Sequence, residues 1–150
     1  MTYAGARGET ETEMASALHF TLPQAQLHAS LNALDRTLAS RGQGAKGKDE
    51  KGFRLNIANA VWGQQGYKFL PDYLNLLAEN YGAGVRLVDF AAAPEPSRKT
   101  INDWVQKQTE DRIKDLVPEG AITAPRSKSF PVLCVRIAMC MLGTSMRHSS

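Results

Sequence analysis

Phe53-Arg54-Leu55-Asn56-Ile57-Ala58-Asn59-Ala60-Val61-Trp62 decides how this chain is read. Apolar Phe53, Leu55, Ile57 and Val61 alternate along it, which is the period of a half-buried strand and not of a helix. Asn59 interrupts that face. Together with Asn56 it puts two amides into an apolar strand, where a buried amide must find partners, and a structural role is the default for both. Gly63 and Gly66 are expected to end the strand.

Working outward toward the C-terminus, Pro71 suits a helix first turn, and Tyr73, Leu76, Leu77 and Tyr81 continue a helix to a stop at Gly82. A second short strand is expected over residues 85–90. Pro94 and Pro96 introduce a further helix that carries Ile101, Trp104, Val105, Ile113 and Leu116 on one side and ends at Pro118 and Gly120. Toward the N-terminus, residues 41–52 (RGQGAKGKDEKG) form a polar, glycine-rich connection. Its Lys46, Lys48 and Lys51 suggest a site for a sulfated polymer, but Asp49 and Glu50 sit among them and a solvated loop is the better reading. Before it, Leu27, Leu31, Leu34 and Leu38 make one helical face, read as core. An earlier helix starts at a Thr10/Glu13 capping box, carries Met14, Ala17 and Leu18, and stops by Phe20 and Pro23. Residues 1–7 read as the end of a preceding element. Helices alternating with strands imply a mixed α/β arrangement (α+β) with helices packed on a sheet.

The charge divides the chain at residue 124. The 150 residues carry a net charge of +3, yet residues 1–124 hold 14 lysines and arginines against 15 acids. Residues 125–150 hold Arg126, Lys128, Arg136 and Arg147 with no acid, together with both cysteines, Cys134 and Cys140. A body this neutral is no candidate for salt-driven nucleic-acid binding. At 43% hydrophobic residues, 22% charged residues and a mean hydropathy of −0.32, the composition is that of a folded, water-facing domain. No run approaches the ~18 apolar residues of a membrane span, and the start has no signal-peptide layout. Past Ala124 the pattern dissolves: Val132 to Leu142 is apolar, Arg136 interrupts it, and no element is assigned there. Two cysteines are too few for a disulfide scaffold, and no Cys/His metal spacing is present.

No catalytic constellation stands out. His19, His28 and His148 are scattered, no Gly-x-Ser-x-Gly elbow occurs, and Gly82-Ala83-Gly84 leads into a strand where a dinucleotide fingerprint would lead into a helix. No catalytic residue, metal ligand or cofactor is assigned.

Four segments carry a resemblance. Gly5-Ala6-Arg7-Gly8-Glu9-Thr10 with Leu18-His19-Phe20 is similar to the serpin stretch joining a buried central helix to the next one. Leu55 to Trp62 resembles the long strand of the serpin main β-sheet. Asn80-Tyr81-Gly82-Ala83 running to Val88-Asp89-Phe90 resembles its edge strand. Ile101-Asn102-Asp103-Trp104-Val105, Thr109 and Ile113-Lys114-Asp115-Leu116-Val117 resemble the helix that lies across that sheet. The four come in the family's order and cover residues 2–124.

The resemblance implies a partial serpin fold, with helices packed on an incomplete main β-sheet. It implies a serine-type endopeptidase inhibitor, not an enzyme, whose partner is a serine or cysteine protease outside the cell. Family-motif positions of structural character are Asn59, Trp62, Asn102, Trp104 and Thr109. The reactive loop that the protease cuts is absent from these residues, so the chain as given is expected to be inactive. Past Ala124 the family continues into a Leu/Val-rich strand carrying Asn-Ala, and Pro125-Arg126-Ser127-Lys128 stands here instead. Residues 125–150 are therefore set apart as a divergent tail, out of frame or degenerate, and expected to be loosely packed. Without that strand the long strand is expected to leave an open edge through which copies self-associate. The other expectation is a remnant with no biochemical activity.

Overall fold

The computed structural model describes residues 1–41, 45–46, 52–122 and 132–142. A single 3-10 turn, Thr2–Gly5, leads into α1 (Glu9–Ala17) and α2 (Gln24–Arg41). Then come β1 (Ala45–Lys46), β2 (Gly52–Gln64), α3 (Pro71–Tyr81), β3 (Val85–Val88), α4 (Pro94–Gln108) and β4 (Val132–Leu142). This is the mixed helix-and-sheet architecture that the alternating pattern implied.

β2 is the axis of the four-stranded sheet. β4 runs antiparallel to it from Phe53 opposite Leu142 to Gly63 opposite Val132. Phe53 also pairs with Ala45 of β1, and Val61, opposite Cys134, also pairs with Val85 of β3. A strand residue has two edges, so β1 and β3 share the edge of β2 that faces away from β4. β3 is parallel to β2 and shorter than the sequence suggested, because Phe90 leaves the ladder to become core.

The pleat sorts side chains onto two faces. On one, Ala60 and Trp62 meet Val135 and Ile137 of β4 beneath Ile101 and Val105 of α4, with Phe90 closing the cluster. On the other, Val61 meets Leu77 and Tyr81 of α3 and the adjoining Ala83, with Leu31 of α2 packed against them. Fully burying one such side chain contributes ~1.5–3 kcal/mol. A third cluster, Tyr3, Ala6 and Leu27, joins the opening turn to α2.

The largest correction falls on Val132–Leu142, the described part of the tail that was expected to be loosely packed. Val132 to Leu142 is a strand, it occupies the edge of β2 that was expected to stay open, and Val135 and Ile137 are 5% and 9% exposed. Arg136 also ties it to the body through Asp35 of α2 at 2.6 Å. Periodicity failed there because the more exposed face of the strand carries Val132, Cys134 and Ala138, which read as apolar as the buried Val135 and Ile137. Arg126, Lys128, Arg147 and His148 lie outside the described residues, as do Lys48 and Lys51 of the proposed basic loop.

Smaller differences have local causes. The Thr10/Glu13 box does not form: Gly8, at φ 61°, is the N-cap and starts α1 ahead of Thr10, a conformation glycine reaches without a Cβ penalty. Leu34 is 52% exposed and lies off the packed stripe of α2. Gly63 does not end β2 but sits within it, and the Cβ it lacks leaves room for the Phe69 ring. α4 ends at Gln108, so Ile113 and Leu116 lie on the segment that returns along it. Pro71 and Gly82 stand at the α3 termini as read, with Gly82 left-handed at φ 55°.

α2 and α3 meet at a buried polar pair. His28 is 1% exposed, its Nδ1 lies 2.6 Å from the Tyr81 hydroxyl, and its Nε2 has no partner. Burial pushes the imidazole below 6.5 and the Tyr81 phenol up. As pH falls through 6.5 the unfolded chain takes up this proton before the folded one, so stability is lost in that direction until the lower folded pKa is passed. Urea melts should show a lower midpoint at pH 5.5 than at 7.5, and His28→Phe should flatten that slope. An unchanged slope in the variant would place the dependence elsewhere.

Candidate functional site

Four of the five motif positions gather where α4 crosses the sheet. Trp62, 3% exposed at the end of β2, packs edge-on against Trp104 of α4, with ring centroids 6.2 Å apart and planes at 79°. Arg86 stands opposite Trp62 in the β2–β3 ladder. Its guanidinium lies 5.6 Å from the Trp62 centroid and 5.8 Å from that of Trp104. One cation thus joins β2, β3 and α4, and each such contact is worth ~0.5–2 kcal/mol according to its desolvation. The sequence did not single out Arg86, because only strand register places it beside two indoles.

At the other end of α4 the backbone reverses through Glu110 and Asp111, both left-handed at φ 50° and 62°. Thr109 and Asn102 hold the returning chain. Thr109, 0% exposed, donates its hydroxyl to the Val105 carbonyl at 2.8 Å and accepts the Ile113 N–H at 3.1 Å. Asn102 makes a two-way bond to Val117, its Nδ2 donating to the carbonyl and its Oδ1 accepting the N–H, each at 2.9 Å. Arg98 adds a third tie: it donates to Glu95 at 2.7 Å and to the Val117 carbonyl at 3.2 Å, and lies 3.8 Å from Asp115. The Arg98 hydrogen bond holds the Glu95 carboxyl below its ordinary range.

Two polar groups connect the sheet to the helix ends. The Asn56 amide, which needed a partner, donates to the Gln108 carbonyl at 2.9 Å. Gln64 donates to Asp89 at 2.9 Å, and Asp89 accepts the Ala92 N–H at 2.9 Å in the turn that leads into α4. These bonds, the Ala92 N–H foremost, keep Asp89 below its usual pKa. Asn59 is not part of this arrangement. It lies on the opposite face, across from Arg136, and its Oδ1 is buried without a partner, as is Trp62 Nε1.

The arrangement has no nucleophile with a base beside it, and among the described residues no group of His, Cys, Asp or Glu could hold a metal ion. No described helix is long and apolar enough to cross a membrane. A separate open groove of about 470 Å³ runs between the opening turn, α1 and the start of α3, walled by Met14, Phe69, Leu70 and Tyr73. Burial raises the Tyr73 phenol to about 12, which leaves it neutral and inert near pH 7. What the α4 arrangement can do is mechanical: it keeps a helix seated on a sheet through side chains at both ends.

Asn102→Ala should cost ~1–3 kcal/mol, because both Val117 backbone groups lose their buried partner. Thermal melts should show the loss, and trypsin should cut faster after Arg112 and Lys114. A melt and cleavage rate equal to the parent's would show that the returning segment is held without Asn102.

Comparison with known proteins places this arrangement. A family model described as Serpin (serine protease inhibitor) matches residues 1–128. Leukocyte elastase inhibitor of Bos taurus is 36% identical over 122 residues, which cover 81% of this chain and 30% of the relative. Serpin B3 of Homo sapiens is 37% identical over 129 residues, covering 81% and 33%. The chain thus spans about a third of the length of the relatives it matches. The structure of ovalbumin from emu, Dromaius novaehollandiae, is similar with a TM-score of 0.73 at 25% identity, over 93% of this chain and 36% of that one. That share exceeds what residues 1–128 supply, so the likeness in shape runs on toward β4, past the end of the family-model match.

Proposed function

The chain belongs to the serpin family, and from that premise we propose that it supplies the β2, β3 and α4 portion of a serine-type endopeptidase inhibitor that acts on a serine or cysteine protease outside the cell. The observation that carries this reading is the long mixed sheet with α4 pinned across it by Trp62, Arg86 and Trp104. In the family mechanism the protease cuts an exposed loop, which then enters the main sheet as an added strand and drags the acylated enzyme with it. The sheet is the acceptor for that strand, and α4 is the helix that must give way. The role of Asn59, Trp62, Asn102, Trp104 and Thr109 is to support that sheet and helix; none of them reacts.

The reactive loop lies outside these 150 residues, so the chain by itself does not trap a protease. Incubation with trypsin-, chymotrypsin- and subtilisin-like enzymes should give no SDS-resistant covalent complex, while a longer protein that joins residues 1–124 to a loop-bearing remainder should give one. A complex formed by the 150 residues alone would sink the claim of inactivity. Failure of the longer protein would sink the inhibitor reading.

A second reading is a self-associating piece without inhibitory activity. It is favoured by the abrupt change in charge and cysteine usage after residue 124 and by the outer edge of β4, which has no strand partner among the described residues.

A further inference from the structure

We propose that α4 and residues 109–120, which return along it, form one rigid flap hinged at the Gly63–Gln64 end of β2, and that Asn56 is the latch at its far tip. The proposal rests on the reading that α4 must give way, and adds which end lifts first and which residue holds it.

Three rungs bind the returning chain to α4 from end to end. Near the start of the helix, Glu95 accepts the Gly120 N–H at 3.2 Å. At its middle Asn102 holds both backbone groups of Val117, and at its end Thr109 accepts the Ile113 N–H. Arg98, bonded to Glu95 and to the Val117 carbonyl, braces the first two rungs. All of these bonds run within the hairpin, so none has to break when it moves as a body. Its underside is apolar: buried Ile101 and Val105 rest on Ala60, Trp62, Val135 and Ile137, and such packing has no preferred direction of release.

Both chain connections of the hairpin lie at one end of β2. The turn that enters α4 is fastened there: Gln64 donates to Asp89 at 2.9 Å and accepts the Ala91 N–H at 3.0 Å, and the Gln65 N–H donates to the Val88 carbonyl at 2.8 Å. The returning chain rejoins the sheet at Val132, opposite Gly63. The tip lies at the other end of the helix, where the Asn56 amide donates to the Gln108 carbonyl at 2.9 Å. Asn56 is eight residues from Gln64 along β2, roughly 26 Å at the rise of a strand. The Trp62–Arg86–Trp104 contact starts only two residues from Gln64, close to the pivot. A rotation about the hinge displaces the tip most, so the Asn56 bond must break before α4 lifts.

Rungs and latch respond differently to substitution. A rung is intact in the seated and the lifted flap, so removing it destabilises the fold without changing how often the flap lifts. The latch bond is lost on lifting, so removing it raises the lifted population by the worth of one hydrogen bond, roughly two- to tenfold.

Thiol labelling of the 150-residue chain, slow enough for its rate to report the open population, tests this. Val105→Cys and Ile101→Cys each place a thiol beneath α4, the first nearer the tip, and Leu77→Cys places one in the core on the opposite face of β2. Peptide mapping distinguishes the new thiol from Cys134 and Cys140, and thermal melts confirm that each variant is folded. Labelling is expected to be fastest in Val105→Cys, slower in Ile101→Cys and slowest in Leu77→Cys. Adding Asn56→Ala should speed the Val105→Cys reaction about two- to tenfold, while adding Asn102→Ala should leave it unmoved and still lower the melting temperature. If a core thiol prevents folding, hydroxyl-radical oxidation of Trp62, buried beneath α4, reads the same contrast between Asn56→Ala and Asn102→Ala.

Acceleration by Asn102→Ala equal to that by Asn56→Ala would show that the hairpin unfolds and does not lift as a body. No acceleration by Asn56→Ala would remove the latch. Faster labelling in Ile101→Cys than in Val105→Cys would put the hinge at the other end, and one rate at all three positions would mean that α4 leaves the sheet only on global unfolding. No protease enters the measurement, so the flap can fail while the inhibitor reading stands, and the reverse.

Discussion

The ladder between Phe53–Gly63 and Val132–Leu142 is the constraint on which the other contacts rest. Residues 58 and 60–64 of β2 are buried between α4 on one face and α3 on the other. A buried N–H or C=O left without a partner costs ~1–3 kcal/mol. β4 supplies those partners along one full edge. The other edge has β1 and β3 at its ends, and residues 54–60 have no strand beside them there among the described residues. β4 also completes the core, since Val135 and Ile137 fill the space between Ala60, Trp62 and the buried side of α4. A segment of alien composition thus holds a place in the fold because backbone pairing does not depend on side-chain identity.

α4 depends on the sheet in a different way. No backbone hydrogen bond joins a helix to a sheet face, so its seating comes from side chains. Ile101 and Val105, both 0% exposed, give the non-directional part. The Trp62–Arg86–Trp104 contact and the Asn56 amide fix position at the sheet, and Thr109, Asn102 and Arg98 fix the returning chain on the helix. The polar bonds matter for specificity more than for total energy, since each nets only ~0.5–1.5 kcal/mol. Against a domain stability of ~5–15 kcal/mol, the helix is held firmly yet by contacts that can be released one at a time. That balance suits an element which, in the proposed function, must leave its seat.

Much of this was legible in residue order. The alternation in Phe53 to Trp62 announced a strand, Pro71 and Gly82 bracketed α3, and the Ile101, Trp104 and Val105 stripe marked the buried side of α4. The motif residues Asn102 and Thr109 were noticed as family positions, but their work on Val117 and Ile113 depends on a chain reversal through two left-handed residues, which no periodicity encodes. Arg86 looked like one surface cation in a short strand. Its place between two indoles follows from pairing Trp62 with Arg86 and from the crossing of α4, both long-range events.

The sequence alone determined the helices, β2 and β3, the family resemblance and the division of charge at residue 124, because those follow from local period, local chemistry and ordered motifs. Tertiary structure alone decided that Val132 to Leu142 is a strand. Apolar residues on both sides erase the two-residue period, and Arg136 looks disruptive until Asp35, 101 positions earlier, stands 2.6 Å away. A strand whose exposed face is also largely apolar is specified by the edge it pairs with, and that edge is on another part of the chain.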